Sequence, residues 1–200
     1  MPSSNAPSAP PDRRPRTLVP RALGLSALIM VATLPCQQRA ASAPPAVRIT
    51  AEGIGALRLG APLREAAELM RGVDPAAAMI GPGCDERDQI SVVLQVAGVD
   101  LSVMAMAASS GTIEEVIAVP VESAGTPMPD AEACRRHGSS FASRFALSVG
   151  AVQGWNLREN PVATEYVFPF HPDARVIARW FSGARTCDLM LQFGEKGPVD

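Results

Sequence analysis

Few residues in this chain have the type and the company that chemistry requires. Two histidines and four cysteines are spread over 200 residues. His137 follows Arg135 and Arg136, which would disfavour protonation of its imidazole, and His171 opens a His-Pro-Asp corner. No pair stands at the H-x-x-x-H, H-E-x-x-H or C-x-x-C spacing that brings ligands to one side of a zinc ion, so no metal site is expected. Asp85, Glu86 and Asp88 follow Gly81-Pro82-Gly83-Cys84 without the ligand periodicity of a calcium loop, and read as a solvated turn.

Nucleophiles fare no better. Ser139 lies two residues after His137, and helix positions i and i+2 do not face each other, which argues against a relay through Ser139-Ser140. No G-x-S-x-G elbow is present. Glu114 and Glu115 could form an acid–base pair only if they shared a side. Neighbouring strand residues point to opposite faces, so Glu114 reads as solvated. Gly53, Gly55 and Gly60 lack the Lys-Ser/Thr of a phosphate loop and read instead as a sharp corner. Neither catalytic residues nor a cofactor are expected. What remains is recognition by aromatic side chains, which fall late in the chain. Trp155 and Phe181 are the candidate binding residues, Phe181 because it should point away from Trp180 on the same strand.

The elements that must position these residues begin after a leader. Residues 1–43 hold five arginines (Arg13, Arg14, Arg16, Arg21, Arg39) against one acid, Asp12, so the remainder of a chain with net charge −2 is mildly acidic. That remainder has no basic stripe for nucleic acid. The apolar run 22–34 would span about 20 Å as a helix, short of the roughly 30 Å hydrocarbon core. Basic start, short apolar run and the Ala41-Ser42-Ala43 exit read as a cleaved secretory signal, with residues 1–21 disordered and membrane contact only through this leader; the alternatives are an uncleaved anchor or a lipoprotein at Cys36, and a cytoplasmic chain. The destination is the periplasm or the outside of the cell.

Residues 44–200 read as one α+β domain. Pro62 stands at the first position of a helix whose Leu63, Ala66, Ala67 and Met70 share a face, with Gly72 as its stop. A second helix runs from the N-cap Asp130 to Val149 before Gly150, with Cys134, Gly138, Phe141, Ala142, Phe145 and Val149 inward. Each helix is followed by three alternating segments: 90–96, 99–106 and 112–119 after the first, and 164–170, 174–181 and 186–193 after the second. Ala97-Gly98 and His171-Pro172-Asp173 supply hairpin turns. The order is compatible with a tandem α-β-β-β duplication, with pseudo-repeats 47–125 and 126–200. It is equally compatible with a single six-stranded antiparallel sheet under two helices.

The run Gly53-Ile54-Gly55-Ala56-Leu57-Arg58-Leu59-Gly60 resembles the G-I-G-x-L-x-L-G signature at the mature start of small exported bacterial proteins, mostly of unknown function. Ala61-Pro62 replaces the Met-Thr or Met-Ser usual there, and Trp180-x₆-Cys187-x-Leu189 is compatible with the pattern. At the level of fold, the layout resembles the helix-over-sheet modules of the beta-lactamase inhibitor protein and of the small outer-membrane assembly lipoprotein. These resemblances imply an extracytoplasmic α+β module and supply no catalytic residues.

Export makes disulfides permissible. Cys134 lies in the first turn of the second helix and Cys187 begins the last strand, both on apolar faces that must meet if the helix covers its own sheet. A Cys134–Cys187 bridge is therefore expected, with Cys36 lost with the leader and Cys84 unpaired. The alternatives are Cys84 paired with Cys134 or Cys187, or three buried thiols. The functional expectation is a non-catalytic binding or adaptor module with an envelope protein as partner. The rivals are a hydrolytic envelope enzyme with a dispersed site and a purely structural envelope protein. Intact-mass analysis of protein recovered from the periplasm should find a chain lacking residues 1–43; a full-length chain starting at Met1 would rule out cleavage.

Overall fold

A computed structural model describes residues 47–73, 79–83, 85–122 and 125–194. The leader and Cys84 lie outside the described residues. Three two-residue strands open the fold: β1 (Ile49–Thr50), β2 (Gly53–Ile54) and β3 (Leu57–Arg58). They form a small antiparallel sheet that drives Ile54 and Leu57 fully into the core. A Cβ on Gly53 would lie 2.1 Å from the Leu57 carbonyl oxygen, so the first glycine of the run is there for close approach of two backbones. The corner then turns into α1 (Leu63–Met70). Gly60 N–H donates to the Ile113 carbonyl (2.8 Å) and Ile113 N–H to that of Ala61 (2.8 Å). Pro62 is the N-cap rather than the first helical residue, and its carbonyl accepts the Ala66 N–H at 3.0 Å.

The main sheet holds β4 (Gly81–Pro82), β5 (Asp88–Val96), β6 (Val99–Ala107), β7 (Ile113–Pro120), β8 (Thr126–Pro127), β9 (Asn156–Glu159), β10 (Thr164–His171), β11 (Ala174–Phe181) and β12 (Thr186–Gly194). Its order is β4-β5-β6-β7-β12-β11-β10-β9, with β8 on β12, and every pairing is antiparallel. All six long strands read from the alternation are present. Two meanders, each preceded by a helix, meet through their third strands, as a repeated unit turned about the β7–β12 seam would do. The duplication reading rests on this element order; β1–β3, β8 and β9 break the correspondence.

The second helix, α2 (Ala131–Val149), starts where Asp130 accepts the Ala133 N–H at 2.7 Å and ends at Gly150. It lies over β10, β11 and β12, and α1 lies over β5 and β6. Leu94, Val103, Ala118, Leu191, Val176 and Phe168, one from each long strand, join the helix faces in one apolar core. All of these face the helices, so both helices and the small sheet form one layer. Gly138 marks the closest approach of α2 to the sheet. A Cβ there would stand 2.5 Å from that of Ala178 and 2.7 Å from the Phe168 ring.

Two substitutions test this packing. Gly138→Ala should destabilise by about 1–3 kcal/mol through overpacking, despite the better helix former. At the β5–β6 hairpin, Ala97 (φ 50°) and Gly98 (φ 73°) form a turn with both central residues left-handed. Asparagine tolerates that region better than alanine, so Ala97→Asn should add about 0.5–1 kcal/mol in denaturant melts.

Candidate functional site

The residues read for chemistry are scattered. Asp85 accepts hydrogen bonds from the Arg87 side chain and, at 3.2 Å, from the Arg87 backbone N–H. Arg87 holds that carboxyl below the usual carboxylate range. Among the described residues no group of three His, Cys, Asp or Glu could hold a metal ion. His171 is exposed in the β10–β11 turn. His137 is half-buried on α2, and its imidazole is pushed below the ordinary value first by burial and then by Arg144. The expectation that Arg135 and Arg136 cause this shift is corrected: both pair with Glu132, at 2.6 and 3.5 Å. Ser140, at i+3 from His137, shares its side of the helix, unlike Ser139. Ser140, His137 and Glu122 line one pocket, yet no hydrogen bond joins them.

Cys134 and Cys187 form the expected bridge, with sulfurs 2.04 Å apart, Cα atoms 5.5 Å apart and both residues fully buried. It ties the first turn of α2 to the start of β12. No helix among the described residues is long and apolar enough to cross a membrane.

The sheet face away from α1 and α2 carries a second set of apolar side chains. Met104, Ile117 and Met190 are half-exposed on it, and Val93 is 56% exposed. Val167 and Ile177, paired across β10 and β11, are buried there outside the main core. Ion pairs and hydrogen bonds frame this strip. On one side Arg179 donates to Glu165 at 2.7 Å. On the other, a buried network crosses the seam: Glu115, 5% exposed, accepts from Gln192 Nε2 at 2.6 Å and from Arg87 at 3.2 Å, while Arg175 Nε donates to Gln192 Oε1 at 3.0 Å. A bulge between Met106 and Ala107 pairs Glu115 with Met106 and leaves its neighbour Glu114 exposed, as expected for that residue. The burial of Glu115 was not legible, because its partners come from β12 and the β4–β5 turn.

The structure does not bring the two candidate binding residues together. Phe181 lies half-buried at the end of β11, on the face opposite Trp180 as alternation requires. Trp155 is 47% exposed but belongs to the helix side: its ring packs edge-on against Tyr166 at 5.6 Å and under the Arg135 guanidinium at 5.3 Å. It therefore anchors the β9 edge to α2. No family model, curated protein or solved structure matches the chain.

Glu115→Ala removes the buried acceptor that Gln192 Nε2 and Arg87 share, and should cost about 2–3 kcal/mol; Glu165→Ala, at a more exposed pair, should cost under about 1 kcal/mol. Replacing Cys134 and Cys187 by alanine should cost up to about 4 kcal/mol, since the bridge closes residues 53 apart. Folded His137 binds its proton more weakly than the unfolded chain does, so unfolding takes up a proton and stability falls as pH drops below the ordinary histidine value. Denaturant melts across that range should show the fall in wild type and a shallower one in His137→Gln.

Proposed function

We propose that the protein is exported to the periplasm or secreted, and acts there as a non-catalytic binding or adaptor module for an envelope protein. The observation that carries the reading is the open sheet face. A strip of Met, Ile and Val side chains framed by paired charges has the anatomy of a protein interface, an apolar centre with a polar rim. Methionine adapts its shape to a partner at little cost. The buried disulfide supports an oxidising compartment, where such bonds persist. The resemblance of the Gly53–Gly60 run to exported proteins points the same way. The rival hydrolase reading draws on the pocket shared by His137, Ser140 and Glu122, whose side chains no hydrogen bond joins.

Photo-crosslinking amino acids placed at Ile117, Met190 and, as a helix-side control, Leu147 test this in cells making the full chain. The open-face positions should yield one defined adduct that Leu147 does not, weakened by Phe181→Ala and indifferent to Trp155→Ala. Equal adducts from all three positions, or none from Ile117 and Met190, would remove the docking face. Hydrolysis of a 4-nitrophenyl ester that Ser140→Ala abolishes would overturn the non-catalytic reading.

A further inference from the structure

The helix side of the sheet holds a second feature, distinct from the docking face. His137, Ser140, Phe141 and Arg144 stand at i, i+3, i+4 and i+7 along one flank of α2. That flank, closed by the starts of β6 and β8 and the end of β7, walls a pocket of about 300 Å³. Its floor is apolar, with Phe141 and Leu189 buried and Val99 half-buried. Its one guanidinium is uncommitted. Arg144 has no ion pair among the described residues, whereas Arg135 and Arg136 on the same helix share Glu132. Glu122, the one carboxylate among the described lining residues, makes no ion pair with Arg144. Arg144 and His137 both line this pocket, two turns apart on the same flank of α2.

A guanidinium and an imidazole N–H offer donors in that space, above a floor that would bury a small hydrocarbon group. We infer that this pocket binds a small organic carboxylate bearing a compact apolar group. Its carboxylate would take paired N–H bonds from Arg144 and one from His137, and its apolar end would rest on Phe141 and Leu189. A free inorganic anion would leave that floor unused. An uncharged analogue would leave Arg144 unpaired.

Titration of the folded protein with 3-phenylpropanoate, followed by NMR of backbone amides and of the His137 ring, tests the assignment. Shifts should concentrate at Val99, Leu189 and residues 137–144. Arg144→Gln should weaken binding at least ~10-fold, the loss expected for one charge-assisted pair, with an unchanged melting temperature because Arg144 is exposed. The neutral 3-phenylpropanamide should bind as weakly as the acid binds that variant, and Phe181→Ala should leave the titration unaltered. Absence of shifts at these residues with millimolar acid, or equal affinity for acid and amide, would overturn the proposal. Loss of binding in a well-folded Phe181→Ala protein would overturn its independence from the docking face.

Discussion

The pairing of β7 with β12 is the contact on which the rest of the molecule depends. Four residue pairs, from Ala118 with Leu191 to Glu115 with Gly194, join two meanders that are otherwise separate in sequence. Unpaired, each meander would end in an edge strand carrying fully buried residues such as Val116 and Leu191, the kind of edge that invites aggregation. The seam constrains its own chemistry tightly. A Cβ on Gly194 would stand 2.0 Å from the Glu114 carbonyl oxygen at the bulge, and the Glu115–Gln192 bond spans 77 positions of sequence. Burying a carboxylate there is tolerable because Arg87 and Gln192 both donate to it.

Joining the two units through their third strands puts both helices on the same side. The small β1–β3 sheet completes that layer, and the disulfide pins α2 to β12 within it. One face of a long sheet is thereby packed, and the other must do with paired charges, methionines and buried Val167 and Ile177. An antiparallel sheet commonly presents one solvated face, but such faces are usually polar. Here Met104, Ile117 and Met190 leave a half-exposed apolar strip instead.

Local rules made much of this readable. Alternation located the six long strands, Asp130 and Gly150 bounded α2, and the two apolar faces that bring Cys134 to Cys187 were visible as periodicity. What escaped depended on contacts between distant segments. The two-residue strands β1–β3, β4 and β8 are too short to alternate, and β9 is exposed throughout. The contacts of the 47% exposed Trp155 were not visible because Arg135 and Tyr166 are 20 and 11 positions away on other elements. The convergence of His137 and Arg144 on one pocket needed the helix phase together with the strands that wall it.

The claim with most at stake is that the face away from the helices is open in the isolated protein and closed by a partner. Methionine oxidation under brief hydroxyl-radical exposure reads this directly, because the face carries Met104 and Met190 while Met70 sits in the core beneath α1. Met104 and Met190 should oxidise readily in the purified protein, Met70 should resist, and the first two should become protected when the protein is exposed in its native envelope. Protection of Met104 and Met190 equal to that of Met70 in the purified protein would mean that the face is already covered, and would contradict the account.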